Sequence, residues 1–204
     1  MLKNFLIIFL SIFLLFSCGK EKKEEIISQP DNEEIGKSLY EEGVRALKEG
    51  DAFYAGKKFR EAEILLTRYT WASKASLLAA YSEYARNSYS NAIFDLEKHI
   101  KNYPADKNID YVHYLIAMCY YEQILDEKKD LNPLLKAKEK FEFIMKNYSD
   151  TDYGTDARFK IDLITDQLAA KEMSVARYYM KTEKWIPALN RLKIVTDEYE
   201  TTVF

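Results

Sequence analysis

Glycine, proline, cysteine and histidine are scarce in this chain. Its 204 residues include 6 Gly, 4 Pro, 2 Cys and 2 His. So few turn-forming residues argue against an all-β fold, which needs a turn after every strand. Neither histidine has cysteines or carboxylates at the spacing of metal ligands. We therefore expect no metal centre and no protein-held cofactor.

Catalytic and nucleotide-binding motifs are missing as well. The chain has no Gly-x-Ser-x-Gly element, no P-loop and no glycine-rich dinucleotide turn. Its carboxylates lie among lysines, where solvated ion pairs on helix faces explain them. The 30 basic and 33 acidic side chains form no basic stripe, so no nucleic-acid partner is expected. These absences predict that the protein is not an enzyme. An enzyme would need a cleft of convergent carboxylates.

Helix-forming sequence with a repeating pattern dominates the chain. Ala80, Ala92, Leu96 and Pro104 follow one another at intervals of 12, 4 and 8 residues. This is the skeleton of a tetratricopeptide repeat (TPR), a helical hairpin of nominally 34 residues. A small residue lets the two helices approach, an alanine lies at their contact, and proline ends the second helix.

The pattern recurs in three further places. The matching sets are Gly43, Ala55, Phe59 and Ala62; Ala117, Tyr120, Ala137 and Phe141; and Ala176, Tyr179, Ala188 and Leu192. In the third repeat the first interval is 20 residues, and the charged stretch 126–132 accounts for the insertion. We predict an all-α fold over residues 33–204, a TPR-like solenoid of about four helical hairpins. Cys119 lies in an apolar run and is predicted to be a buried hydrophobic residue.

Apolar periodicity predicts where the helices begin and end. The first helix begins at Glu33 and ends at Gly50-Asp51. The others are Phe53–Tyr69, Trp71–Arg86, Ser90–Tyr103, Ile109–Leu125, Pro133–Tyr148 and Trp185–Tyr199, with Asn132 as the cap of the helix that begins at Pro133. A long stretch that begins at Thr151-Asp152 either runs as one helix to Lys181 or bends near Ala170-Lys171. Three tyrosines, Tyr103, Tyr148 and Tyr199, each follow a repeat alanine by 11 residues. We predict that they pack at the edges between repeats.

The N-terminal residues are predicted to direct export and lipid attachment. Residues 1–17 combine Lys3 with an apolar stretch too short to span a bilayer, as a signal peptide does. Leu15-Phe16-Ser17-Cys18 resembles the bacterial lipobox, in which the cysteine receives diacylglycerol and an acyl chain. Several chains at one residue anchor far better than one. The alternative is an ordinary signal peptide or anchor with an incidental cysteine.

The charged segment 18–32 is predicted to be a flexible tether between Cys18 and the helical domain. With Cys18 acylated, Cys119 is the only remaining thiol, so no intrachain disulfide is expected. Gly19 follows the lipobox cysteine. In enterobacterial sorting, aspartate at this position favours the inner membrane, so Gly19 is compatible with the outer membrane.

The order of lipobox, tether and repeats resembles the BamD (ComL) family of the outer-membrane β-barrel assembly machine. The local matches are Asn102-Tyr103-Pro104, residues 108–114, residues 155–158, residues 174–179, and Trp185 followed by Asn190-Arg191. The resemblance implies a lipid-anchored protein on the periplasmic face of the outer membrane. It also implies a scaffold of the BAM complex that holds the POTRA domains of BamA, meets other BAM lipoproteins and receives unfolded β-barrel precursors.

The resemblance also implies site residues. Asn190 and Arg191, with Tyr178 and Tyr179 nearby, match the region that contacts BamA, and a guanidinium suits a carboxylate partner. The alternative for Arg191 is a solvated arginine on the outer helix face. Tyr69, with Trp71, matches a tyrosine near the precursor-binding region. Thr70 replaces the proline that usually follows. There an extended peptide could stack on the rings.

The chain also departs from the family pattern. Ser149 and Glu200 stand where proline usually follows the tyrosine, and the family usually has five helix pairs rather than four. Leu189, Leu192, Val195 and the terminal Val203-Phe204 therefore predict an apolar surface that is open or covered by a partner. A second hypothesis is a periplasmic TPR lipoprotein that organises other cell-envelope proteins. It would share the anchor and the repeats but would not need segments 108–114 and 174–179.

Overall fold

The computed structural model of the chain describes residues 31–123 and 131–203. These residues form eight α-helices and no strand. The helices are α1 (Asn32–Lys48), α2 (Ala52–Leu65), α3 (Tyr69–Ala85), α4 (Tyr89–Asn102), α5 (Ile109–Glu122), α6 (Asn132–Asn147), α7 (Asp152–Lys181) and α8 (Trp185–Glu198). The predicted all-α, TPR-like arrangement of four helix pairs is confirmed.

Each helix packs mainly against its neighbours along the chain. The first helices of adjacent pairs also touch, since α5 contacts both α3 and α7. Helix α7 packs against both α6 and α8. Such nearest-neighbour packing is how repeat proteins build one continuous core from short hairpins.

The repeat residues form the contacts that their spacing predicts. Ala55, Ala92 and Ala137 are fully buried, and Ala188 is 2% exposed. A β-carbon on Gly43 would lie 2.8 Å from the nearest ring atom of Phe59, closer than side chains pack. The small residue on the first helix is therefore what admits the large one on the second.

The three predicted edge tyrosines end their helices in the same way. Tyr103, Tyr148 and Tyr199 each follow the last helical residue with φ of −128°, −137° and −129°, and each N–H bonds to the carbonyl four residues earlier. Tyr103 packs against the cluster that holds Ala62, and the other two pack against the cluster around Phe141. Their predicted packing role is confirmed.

Helix α2 ends at Leu65, so the prediction that it runs to Tyr69 is wrong. Leu66 and Arg68 have extended backbone, with ψ of 114° and 122°. Between them, the N–H and hydroxyl of Thr67 both donate to Glu33 Oε2 at 2.9 Å. A carboxylate 34 residues earlier in the chain thus takes the donors that a longer helix would use, and Tyr69 begins α3 instead.

The second half of the fold follows the predicted boundaries closely. Helix α7 is one continuous helix of 30 residues that reaches Lys181, as the first of the two predicted alternatives has it. The Thr151 hydroxyl accepts the Gly154 N–H at 3.1 Å and so caps its first turn. Helix α6 begins at Asn132, so the prediction that Asn132 is its cap is wrong: Leu131 occupies that position, and Pro133 lies in the first turn as predicted.

Several predictions fall on residues outside the described ranges. These are the signal peptide 1–17, the lipidated Cys18, all of the tether up to residue 30, most of the insertion 126–132, and Phe204. Cys119 is described and is fully buried, as predicted. Burial raises the pKa of its thiol to about 12, so it is neutral and unreactive at neutral pH.

Candidate binding surfaces

The turn between α7 and α8 presents two of the predicted partner-binding residues. The carbonyls of Tyr178 and Tyr179 accept hydrogen bonds from the N–H groups of Thr182 and Lys184, and Glu183 has φ of +58°. This tight turn leaves Tyr178 61% exposed and Tyr179 half-buried, with ring centroids 5.8 Å apart. Both tyrosines border a pocket of about 220 Å³ along the C-terminal half of α7.

Arg191 is held in place by a carboxylate on the neighbouring helix. Its Nη1 donates to Glu172 Oε2 at 2.9 Å, and the side chain is 41% exposed while that of Glu172 is 15% exposed. Helix α7 thus orients the guanidinium and leaves part of it in solvent. Asn190, the other residue of the predicted pair, is exposed. Sequence reasoning missed Glu172 because it precedes Arg191 by 19 residues on a different helix.

Helix α8 also exposes large apolar side chains. Trp185, Ile186 and Leu189 are 61%, 75% and 64% exposed. The predicted open apolar surface is therefore confirmed at Leu189, and Val203 is 86% exposed. The prediction is wrong for Val195, which is 4% exposed, and Leu192 is half-buried.

Repeat positions explain why Trp185 and Leu189 are open. Trp185 lies three residues before the repeat alanine Ala188. The equivalent residues in the second and third repeats are Tyr89, which is half-buried, and Leu134, which is 1% exposed. Leu189 corresponds to Ile93, and both Tyr89 and Ile93 pack against a cluster that includes residues of α5. In that repeat the next helix pair covers these positions. Within the described chain no pair follows α8.

The predicted precursor-binding residues lie at the start of α3. Tyr69 is 43% exposed, its ring is 5.4 Å from that of Tyr103, and its hydroxyl accepts the Ala105 N–H at 3.1 Å. Trp71 is half-buried, edge-on to Tyr40 at 5.3 Å, with Lys74 Nζ 5.2 Å from its ring centre. Both rings therefore have packing roles and also present a partly accessible edge.

The structure does not join the two predicted sites into one. Helix α3 packs against α2, α4 and α5, whereas α8 packs against α7. The Tyr69 surface and the Arg191 surface are therefore separate, and each would have its own occupant.

An ion-pair cluster that sequence reasoning missed ties the first two helix pairs together. Arg60 on α2 contacts Glu83 on α3 at 2.6 Å and Asp95 on α4 at 2.9 Å. The Glu83 side chain is only 6% exposed. A carboxylate that is buried without a cation would be costly, so Arg60, together with Arg86 at 3.7 Å from Glu83, stabilises this junction.

Two searches of the described residues were negative. In the ranges 31–123 and 131–203, no three His, Cys, Asp or Glu side chains gather in a way that could hold a metal ion. None of the helices described there has the length and apolar character needed to cross a bilayer.

Comparison with known proteins identifies the family. Residues 32–204 match the model of the YfiO family, described as outer membrane lipoprotein. The chain belongs to the BamD (YfiO) family. The BamD resemblance noted in the sequence is thereby confirmed, and the match covers every helix described here.

Relatives in several bacteria carry the name outer membrane protein assembly factor BamD. The protein of Caulobacter vibrioides is 35% identical over 184 residues, which cover 90% of this chain and 59% of that protein. The Rickettsia prowazekii protein is 33% identical over 165 residues, covering 81% of this chain and 66% of the relative. The Neisseria gonorrhoeae protein is 25% identical over 201 residues. The chain thus spans about three fifths to two thirds of the first two BamD proteins.

Proposed function

We propose that this BamD-family chain is a non-catalytic scaffold of the β-barrel assembly (BAM) complex at the outer membrane. The family match over residues 32–204 carries this proposal. In this role the chain binds a POTRA domain of BamA, contacts other BAM lipoproteins and receives unfolded β-barrel precursors. A stack of rigid helical hairpins suits this work because it offers two separate surfaces on one continuous core.

The BamA contact is proposed at the α7–α8 surface, with Arg191 as its centre. Glu172 orients the guanidinium, and the exposed edge can still bind a carboxylate. Exposed Tyr178 and Trp185 supply the aromatic area that binding hot spots use; Tyr179 adjoins Tyr178, and the exposed Asn190 precedes Arg191. A preorganised arginine on a helix that also exposes a tryptophan is the strongest physical support for this assignment.

The precursor site is proposed at Tyr69 and Trp71. A partly exposed tyrosine and a half-buried tryptophan, whose ring Lys74 covers, can contact the side chains of an extended peptide. The Tyr69 hydroxyl already serves Ala105, so the ring rather than the hydroxyl would make the contact.

The membrane attachment is proposed at Cys18, through diacylglycerol and an acyl chain. It places the chain on the periplasmic face of the outer membrane. Metabolic labelling with an alkyne fatty acid tests it. Label on the wild type and none on Cys18→Ser is expected, and equal label on both would contradict lipidation at that residue.

Photocrosslinking in intact membranes tests the scaffold proposal. A photoreactive residue at position 191 is expected to capture BamA, and one at position 69 is expected to capture β-barrel precursors. Position 97, an exposed glutamate on α4, serves as the matched control and should capture neither. Capture of other envelope proteins at both sites would support the second hypothesis, a TPR lipoprotein that organises the cell envelope, and would contradict the role in barrel assembly.

A further inference from the structure

His99 occupies a core position that the other repeats fill with apolar side chains. It lies seven residues after the repeat alanine Ala92, and the equivalent residues are Ala62, Ile144 and Val195. All four are buried, and His99 is 0% exposed. A polar ring in such a place costs desolvation energy that an apolar side chain would not. A polar partner of the imidazole is therefore expected among the residues that surround His99.

A buried carboxylate faces this ring across a short gap. Asp106 Oδ2 lies 3.7 Å from His99 Nε2, which is too long for a hydrogen bond, and Asp106 is 6% exposed. The other carboxylate oxygen accepts the backbone N–H and the side-chain amide of Asn108 at 2.8 and 3.1 Å. Both ring nitrogens of His99 and Asp106 Oδ2 are buried without a hydrogen-bond partner in the described chain.

Charged and polar groups from α2, α3 and loop 103–108 surround His99. Glu63 faces it from α2 and accepts the hydroxyl of Tyr103, whose ring is 5.2 Å from the imidazole. Tyr69 on α3 packs behind Tyr103. Asp106 faces the ring from the loop, and the buried Ser73 hydroxyl on α3 interacts with the same carboxylate. Burial lowers the pKa of His99 below its ordinary value of 6.5, although Asp106 and Glu63 oppose this. The ring is therefore neutral at neutral pH.

Asp106 belongs to the loop that joins the second helix pair to the third. Several hydrogen bonds hold loop 103–108. The Ala105 N–H donates to the Tyr69 hydroxyl, the Asp106 N–H donates to the Tyr103 carbonyl, and Asp106 accepts from Asn108 and from the Ile109 N–H at the start of α5. A movement of Asp106 would therefore alter the hydrogen bond at Tyr69 and the contacts at the start of α5. The loop couples the ring to the surface that Tyr69 presents.

We propose that His99 and Asp106 form an acid-operated latch on loop 103–108. When a solvent proton binds the imidazole, Nε2–H becomes a charged donor opposite the ionised Asp106 Oδ2. Closing the 3.7 Å gap to a charge-assisted hydrogen bond of about 2.8 Å draws the loop towards α4. The Ala105–Tyr69 hydrogen bond lengthens as a result. The latch is open at neutral pH and closes under acid conditions.

Nuclear magnetic resonance on the full-length chain in detergent tests the latch. The His99 ring signals and the Ala105 and Asn108 amide signals are followed from pH 8 to pH 5. We expect all three to titrate with one midpoint below 6.5. The exchange protection of the Ala105 amide, corrected for intrinsic rate, should fall at least fivefold between pH 7.5 and pH 5.

Two variants and a control decide the outcome. His99→Leu, which restores the apolar residue type of the other repeats, should abolish the acid-dependent loss of Ala105 protection. His113→Gln, at the half-buried second histidine, should leave it intact. Asp106→Asn keeps the oxygen that accepts from Asn108 but removes the charge, so it should lower the His99 midpoint and also abolish the loss. A His99 ring that stays neutral to pH 5, or equal loss of protection in His99→Leu or Asp106→Asn, would overturn the proposal.

Discussion

Gly43→Ala should destabilise the first helical hairpin. The added methyl group would lie 2.8, 2.9 and 3.1 Å from three ring atoms of Phe59, which is fully buried. Such overpacking costs about 1–3 kcal/mol. Alanine recovers about 0.5–1 kcal/mol because it is a better helix former than glycine. The net free energy of unfolding should therefore fall by about 0–2.5 kcal/mol, with a central value of about 1 kcal/mol.

Urea unfolding followed by circular dichroism measures this change, with the slope of the transition checked for constancy. The matched test is the double variant Gly43→Ala with Phe59→Leu, in which the shorter side chain makes room for the methyl group. Its loss of stability should be smaller than the sum of the two single losses by about 1 kcal/mol or more. An alanine variant more stable than the wild type, or single losses that simply add in the double variant, would refute the argument that this close approach requires glycine.

Three further predictions concern buried polar groups. Burial lowers the pKa of His99, so the unfolded chain binds a proton at this residue more readily than the folded chain does. The resulting stabilisation is complete above pH 6.5 and is lost as pH falls through 6.5 towards the folded-state pKa, by at most about 1.4 kcal/mol per pH unit. Urea midpoints measured from pH 8 to pH 5 should therefore fall less steeply in His99→Leu than in the wild type. Arg60→Ala leaves the 6%-exposed Glu83 carboxylate without its closest cation and should lower the free energy of unfolding by about 1–2 kcal/mol. The control Lys57→Ala breaks an exposed ion pair of 3.9 Å and should change the urea midpoint little, so equal effects of the two variants would contradict the role of Arg60. Tyr69→Phe removes the acceptor of the Ala105 N–H and should cost about 0.5–1.5 kcal/mol, measured by thermal unfolding, and an unchanged midpoint would show that this bond contributes nothing.

The fold could be predicted from the sequence because its main signal is local. The spacing of Ala55, Ala92, Ala137 and Ala188 places each helix contact, and the same periodicity predicts the bounds of most helices to within a few residues. Helical hairpins depend on neighbours within one repeat, so a pattern of small and large residues carries most of the information. Tyr103 and Tyr148 could be assigned to packing for the same reason.

The errors arise where distant residues decide. The apolar pattern assigns Tyr69 to the wrong helix, because Glu33, far earlier in the chain, holds Thr67 in an extended segment. Val195 is buried although no further helix pair follows α8 in the described part of the chain. The apolar pattern alone could not distinguish it from the exposed Leu189. The contacts of Arg191 with Glu172 and of His99 with Asp106 also depend on how elements pack. Residue types identified candidates, but only the fold shows which carboxylate each cation or ring meets.

Affinity for BamA is the most direct test of the scaffold account. The full-length chain in detergent is titrated with the POTRA domains of BamA from the same organism, and the wild type is expected to bind in a saturable way. Arg191→Ala should weaken binding at least tenfold, whereas Arg177→Ala, at an exposed arginine near the end of α7, should change it less than threefold. No binding by the wild type would contradict the role in barrel assembly, and equal affinities of the two variants would contradict the assignment of Arg191.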